Sequence, residues 1–194
     1  MILSVDLAAK FSAILLLDDD GKVLWQGDSR DMSVFAFCDK IATLGNRPEV
    51  SLIVIEDVPY GTSNPTTKSV FRIQGALINA LRLVLDKVVF VNPTTWQKEF
   101  DGLRRAPKGM TGAQGAAYRV EAARVAAEVN GYQPPNLVQA YIDALPEGTK
   151  VLKKHTSPLA KVQTDYVDAF LIAFWARSHL ADIRTLSGVQ EPLI

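Results

Sequence analysis

The chain has 194 residues, of which 48% are hydrophobic and 22% are charged. This balance excludes a disordered or fibrous chain, and the length suits one domain with a well-filled core. Basic and acidic residues both number 21, so the net charge by itself does not indicate a polyanionic partner.

Three short apolar or β-branched runs open the chain: ILSVDL at 2–7, FSAILLL at 11–17 and KVLWQG at 22–27. The DDDG between the second and third runs predicts a turn in which Gly21 takes a positive φ. Together they predict three antiparallel strands.

The middle of the chain alternates between helical and strand patterns. Residues 31–44 carry apolar positions at helical spacing, and LIVIED at 52–57 is a continuous apolar run typical of a central strand. A long helix is predicted over 68–85, a fifth strand over 87–92 and a short helix from 93–100.

The second half begins with a Gly- and base-rich loop at 102–112, followed by an Ala-rich helix over 113–129. Residues 131–163 contain four prolines and predict a short helix plus a basic loop or hairpin. We interpret them as a basic insertion in a single domain over residues 1–194. The last helix is predicted from about 165–180.

The cysteine content and the apolar runs bear on location. The single Cys38 lies at a helical core position, excludes an intramolecular disulfide and favours a reducing, cytoplasmic setting. The apolar run at 169–176 is far shorter than the roughly 20 residues that cross a bilayer. We expect no membrane anchor and no secretion signal.

Four carboxylates occupy apolar segments. Asp6 ends ILSVD, Glu56 ends LIVIE, and Asp165 and Asp168 share one face of the last predicted helix. Burial costs about 2 to 7 kcal/mol even for a neutral polar group. Oxygen ligands are those that Mg²⁺ and Mn²⁺ prefer, so a metal site would remove that cost. Alternatively, a lone acid ends a strand or caps a turn, and the aspartate pair suits the positive end of a helix dipole.

Other polar and aromatic residues have simpler interpretations. Asp57 follows Glu56, and strand alternation points it to the other face of the sheet. We interpret it as structural or as supporting the acids. Trp25, Trp96 and Trp175 lie at core positions and are predicted to pack.

The order of elements resembles that of the RNase H-like nuclease superfamily. Within it, Glu56 before a long helix and the pair in TDYVDAFLIA resemble RuvC-type Holliday-junction resolvases. The resemblance covers about residues 1–130 and 164–179. It implies an α/β fold with a mixed five-stranded sheet, three antiparallel strands followed by two parallel strands, flanked by helices.

The resemblance also implies a metal-dependent endonuclease that resolves four-way (Holliday) or other branched DNA by paired symmetric nicking. Asp6, Glu56, Asp165 and Asp168 would be catalytic and hold two Mg²⁺ ions, which Mn²⁺ could replace. One ion would activate water and the other would stabilise the leaving 3′ oxygen, so that hydrolysis leaves a 5′ phosphate. Two nicks need a homodimer. The 68–85 helix is the candidate interface, with a fully buried helix as the alternative.

Two departures from the family pattern lie near the acids. After Asp6 the family usually has a Pro or Gly turn, whereas here Lys10 is available for a DNA phosphate. Three residues after the catalytic Glu, the family often places an aromatic that stacks in the opened junction. Here Pro59 stands there and Tyr60 follows, so Tyr60 is predicted to stack on a base. A tyrosine that anchors a loop is the alternative.

Two basic groups are predicted to bind the DNA backbone. Arg104, Arg105 and Lys108 would contact phosphates near the cut, with Lys108 steadying transition-state charge. The second patch, which includes Lys153 and Lys154, would bind the backbone. It comprises Lys150, Lys153, Lys154, His155 and Lys161.

Three other functions are compatible with parts of the pattern. Another RNase H-like nuclease, acting on RNA/DNA hybrid, flap DNA or ribosomal RNA precursor, differs only in substrate. An actin-like or sugar-kinase-like protein also begins with an Asp-ended strand, but LAAKFS lacks the phosphate-cradling glycines and 194 residues are too few for two halves. The intact set of acids argues against a catalytically inactive DNA-binding module.

Overall fold

Five strands form one mixed sheet in the computed structural model, which describes residues 1–8, 10–57 and 65–187. The strands lie in the order β3-β2-β1-β4-β5. Their bounds are β1 (Ile2–Asp6), β2 (Ala13–Leu17), β3 (Val23–Asp28), β4 (Leu52–Glu56) and β5 (Val88–Val91). The first three are antiparallel, while β4 runs parallel to β1 and β5 parallel to β4. This is the predicted mixed sheet, with three antiparallel strands followed by two parallel strands.

Helices cover both faces of the sheet. Helices α1 and α2 pack on one face, and the remaining helices pack on the other. Their bounds are α1 (Val34–Gly45), α2 (Pro65–Ala80), α3 (Pro93–Gln97), α4 (Gly112–Val129), α5 (Leu137–Asp143), α6 (Lys153–Ser178) and α7 (Leu180–Ser187). Within the described residues, no helix has the length and apolar character needed to cross a membrane.

Strand alternation divides β1 between two cores. Leu3 and Val5 are buried with α1 and α2, whereas Ile2 is buried on the opposite face with α6. Since successive side chains point to opposite faces, Ser4 and Asp6 share the α6 face with Ile2. The polar side chains of β1 are therefore directed at the longest helix.

Helix α6 begins at Lys153, so the predicted start near Asp165 is wrong and residues 153–163 are helical rather than a loop or hairpin. Pro158 lies inside this helix and costs it one backbone hydrogen bond. From Val162 onward the helix is buried against the sheet, and extending an existing helix is easier than starting one. Asp165 lies about three turns into the helix, beyond the reach of the dipole at its positive end.

Helix α2 also differs from its prediction, because it ends at Ala80 rather than at Leu85. A turn follows, in which Leu81 and Val84 are buried, and the apolar pattern continues there without helical backbone. A short 3₁₀ helix then leads into β5. Leu77 is buried but Ile78 is 39% exposed, so the alternative of a fully buried helix is wrong.

Candidate metal centre

The pairing of β1 with β4 brings two of the predicted acids together. Val5 pairs with Ile55 in parallel register, so the next residues, Asp6 and Glu56, lie side by side at the carboxyl ends of the central strands. Helix α6 packs across this part of the sheet, and the Ser4 hydroxyl donates a 2.7 Å hydrogen bond to the carbonyl of Ala169. This bond joins the strand of Asp6 to the helix of Asp165 and Asp168.

Three carboxylates converge between β1 and α6. Asp6, Asp165 and Asp168 each place one carboxylate oxygen within 4.8 Å of the other two. Asp165 Oδ1 accepts a hydrogen bond from Lys161 Nζ, whereas Asp165 Oδ2 is buried without a partner among the described residues. A buried, unpaired carboxylate oxygen beside two further carboxylates fits a divalent cation with hard-ligand preference, such as Mg²⁺ or Mn²⁺.

Glu56 lies beside Asp6 but outside that group of three. Its Oε1 accepts a 3.1 Å hydrogen bond from Trp96 Nε1, and the negative charge of the neighbouring Asp6 disfavours ionisation of its carboxyl. Trp96 is buried, as predicted, but it also orients an acid. The sequence carries no signal of this contact, because the two residues are 40 positions apart. We refer to Asp6, Glu56, Asp165 and Asp168 together as the acid cluster.

Burial and mutual repulsion shift the acid cluster toward protonation. Burial raises the pKa of Asp6, and together with the charge of Asp6 it holds the pKa of Glu56 well above its usual range. Burial and the charges of Asp6 and Asp165 likewise hold the pKa of Asp168 well above its usual range. Burial and the charge of Asp6 raise the pKa of Asp165 to about 7. Ionising all four acids therefore requires added positive charge.

Lys161 supplies part of that charge. Its side chain is 57% exposed, but its ammonium pairs with Asp165, whose side chain is 1% exposed. Partial desolvation lowers the pKa of Lys161, but the charges of Asp165 and Asp6 raise it above its usual value overall. The sequence prediction placed Lys161 in the DNA-binding patch instead. Lys161 and Asp165 have the i, i+4 spacing of an ion pair on a helix. The sequence prediction missed this pair because it began the helix near Asp165.

Two cavities adjoin the acid cluster, one lined by Asp168 and the other by Lys161, the partner of Asp165. The first, which we call the arginine cavity, has a volume of about 330 Å³ and is lined by α3, the loop after it, α4 and α6. Its lining includes Asp168, Arg104, Arg119, Gln97 and Thr164. Of the predicted phosphate contacts, Arg104 thus lies beside the acids. Arg105 and Lys108 are exposed and do not line it.

The second, which we call the lysine cavity, has a volume of about 540 Å³ and lies between the β1–β2 connection and the N-terminal part of α6. It contains two predicted DNA contacts, Lys10 and Lys154, together with Lys161. Lys153 is exposed outside it. Tyr60 and Pro59 lie outside the described residues.

Several predicted structural residues have the expected environment. Asp57 accepts a 3.1 Å hydrogen bond from Gln74 of α2, on the face away from the acid cluster. Trp175 and Cys38 are buried, and Lys40 lies over the ring of half-buried Trp25. These predictions are confirmed.

No protein-family model matches the chain, and no curated protein matches it by sequence. Among solved structures, Thermus thermophilus RuvC in complex with a Holliday junction substrate is similar, with a TM-score of 0.53 and 10% identity over 93% of this chain and 94% of that one. Another Thermus thermophilus RuvC structure gives a TM-score of 0.50 and 12% identity over 99% of both chains. At the level of the fold, the predicted resemblance to RuvC-type RNase H-like nucleases is confirmed.

Proposed function

We propose that this protein is a divalent-metal-dependent endonuclease that resolves four-way or other branched DNA by paired nicking. The observation that carries the proposal is the convergence of the Asp6, Asp165 and Asp168 carboxylates, with Asp165 Oδ2 buried and unpaired among the described residues. This donor set lies in a fold shared with a protein solved in complex with a Holliday junction substrate. Hydrolysis would leave a 5′ phosphate.

Each residue near the acid cluster has a separate proposed role. Asp6, Asp165 and Asp168 would hold the cations, and Glu56 would complete the set from its position beside Asp6. Trp96 orients the Glu56 carboxylate, and Lys161 balances charge at Asp165 Oδ1. Two bound Mg²⁺ or Mn²⁺ ions would supply an activated water and stabilisation of the leaving 3′ oxygen. In the arginine cavity, Arg104 would bind a backbone phosphate of the cut strand.

The active form would be a homodimer, since paired nicks need two acid clusters. Helix α2, the turn after it and the start of the 3₁₀ helix are the proposed interface, because they expose large apolar side chains that a second copy could bury. These are Phe71, Ile78, Leu83 and Leu85, with exposures of 37% to 77%. In sedimentation velocity, Ile78→Glu should shift a dimer to a monomer. A wild-type monomer at all concentrations would contradict the interface.

A substrate panel tests the activity. Purified protein is incubated with Mg²⁺, Mn²⁺ or EDTA on a synthetic four-way junction, linear duplex, flap, RNA/DNA hybrid and ribosomal RNA precursor. We expect symmetric nicks in the junction with either metal and none in EDTA. Cleavage of the hybrid or the RNA without the junction would replace the resolvase by another RNase H-like nuclease. Full cleavage by Asp6→Asn would refute the metal site.

A further inference from the structure

Most residues that line the lysine cavity have no role in the proposed metal site. Its walls come from the β1–β2 connection and from the N-terminal part of α6, which the sequence pattern had not predicted to be helical. They comprise Ala8, Lys10, Phe11, Lys154, Ser157, Pro158 and Lys161. Its volume of about 540 Å³ lies within the range of about 300 to 1,000 Å³ that is usual for small-ligand sites.

The lining combines an apolar surface with positive charge. Phe11 and Pro158 supply ring surfaces, while Lys10 and Lys154 form no ion pair with any residue that the structure describes. A nucleotide matches both features, since its base has apolar faces and its phosphate is anionic. A small inorganic anion would leave the rings unused, and an uncharged apolar ligand would leave the lysines unpaired.

The position of the cavity links it to the acid cluster. Lys161 lines the cavity and also binds Asp165, and Ala8 lies two residues after Asp6. The arginine cavity adjoins the cluster through Asp168, which is one of its lining residues. A DNA strand bound at the acids therefore has Arg104 of one cavity and the lysines of the other close to it.

We propose that the lysine cavity binds one unpaired nucleotide of the cut strand, next to the phosphate at the acid cluster. The base packs against Phe11 and Pro158, and Lys10 and Lys154 bind the adjoining phosphate. This inference rests on the proposed function and narrows its substrate class. The DNA must supply an unpaired nucleotide beside the cut, as a branch point does and a continuous duplex does not.

The first experiment changes the DNA. A set of four-way junctions is prepared, each with a single abasic nucleotide at one of the two positions on either side of the mapped cut. An abasic nucleotide retains its phosphate but lacks its base. We expect the wild-type cleavage rate to fall about tenfold at one of these positions and to change little at the others. On the intact junction, Phe11→Ala should cleave about tenfold more slowly than the wild type. On the junction whose abasic site slows the wild type, Phe11→Ala should cleave at the same rate as the wild type.

Matched variants separate the cavity from general effects. Phe11 is half-buried against the core, so Phe11→Leu keeps apolar packing without the ring. Phe35→Ala removes an aromatic side chain that is 77% exposed on α1, across the sheet, and should leave cleavage unchanged. Lys154→Gln should weaken binding to intact and abasic junctions equally and reduce the salt slope by about one. Lys22→Gln, at the β2–β3 hairpin, should change neither the binding of these junctions nor its salt slope.

Each outcome decides the inference. Equal cleavage of the intact and all abasic junctions, with no loss in Phe11→Leu, would overturn the nucleotide site while leaving the nuclease intact. If Phe11→Ala does not fold, Phe11→Leu and the abasic junctions still give the answer. If the wild type cuts no DNA in the panel, the proposed function fails, and the inference that rests on it fails too.

Discussion

Lys161 Nζ donates to Asp165 Oδ1 across one turn of α6, and this pair gives the acid cluster a resident positive charge. The other oxygen of Asp165 is buried without a partner among the described residues. The lysine thus balances one carboxylate of a cluster that holds four. The remaining repulsion is what a divalent cation would relieve.

Lys161→Met should lower the stability of the metal-free protein at about pH 8, because Asp165 then loses its counter-charge. We expect a loss of about 1 to 2 kcal/mol, below the about 3 to 5 kcal/mol of a fully buried pair, since Lys161 is 57% exposed. Denaturant unfolding in EDTA measures it. Saturating Mg²⁺ should stabilise the variant more than the wild type. Lys154 has no ion pair among the described residues, so the free energy of unfolding of Lys154→Met should stay within about 0.5 kcal/mol of the wild-type value. An equal loss of stability in both variants would refute the pairing of Lys161 with Asp165.

The metal-free protein should lose stability as the pH rises from about 4 to 8. The pKa of Asp165 is raised from 3.8 to about 7, so the folded state binds its proton more tightly than the unfolded state. The resulting stabilisation is fully present below pH 3.8 and is lost as the pH rises through about 7. Asp165→Asn should reduce this slope and be more stable than the wild type at about pH 8 in EDTA. A wild-type stability that increases across this window would contradict the burial of the acids.

Asp168→Asn should lower junction cleavage by at least about 100-fold with little change in DNA binding, because the residue would act at the metal and not on the DNA backbone. Single-turnover cleavage and fluorescence anisotropy measure the two effects. The matched control is Asp57→Asn, which alters a carboxylate that binds Gln74 on the opposite face. The cleavage rate of Asp57→Asn should stay within about twofold of the wild-type rate. Comparable losses of cleavage in the two variants would contradict the assignment of Asp168 to the metal site.

Ser4→Ala should cost about 0.5 to 1.5 kcal/mol, since it removes the hydrogen bond between β1 and α6. We expect that bond to help fix the position of Asp168 relative to Asp6, so cleavage should fall about tenfold while DNA affinity is kept. Ser51→Ala removes an exposed 3.2 Å hydrogen bond to the Met1 carbonyl and should change neither quantity. Equal behaviour of the two serine variants would show that Ser4 does not position the helix.

Trp96→Phe should reduce both stability and cleavage, because Glu56 loses its indole donor; an ordinary hydrogen bond contributes about 0.5 to 1.5 kcal/mol. Trp175 provides the comparison, since its buried Nε1 has no hydrogen-bond partner among the described residues. Trp175→Phe should lose packing alone and keep full cleavage. Unfolding curves and cleavage rates of both variants test this, and unchanged cleavage in Trp96→Phe would argue against a role in orienting Glu56.

The strands and the acids were predictable because their signals are local. A strand that is buried on both faces is a continuous apolar run, and Asp6 and Glu56 stand out at the ends of two such runs. The i, i+3 spacing likewise places Asp165 and Asp168 on one helix face whatever the surroundings. Local sequence patterns therefore predicted the strands and the helix face that Asp165 and Asp168 share, and they singled out the four acids as candidates.

The contacts that organise the site depend on distant parts of the chain. Ser4 meets Ala169, and Trp96 meets Glu56, only because the sheet order and the crossing of α6 bring them together. Pro158 locally signals a break, but the helix continues through it because the segment beyond is anchored in the core. That continuation places Lys154 and Lys161 opposite the β1–β2 connection. The sequence alone thus determined which residues carry charge, while tertiary packing decided which charges are buried, paired or left open to a ligand.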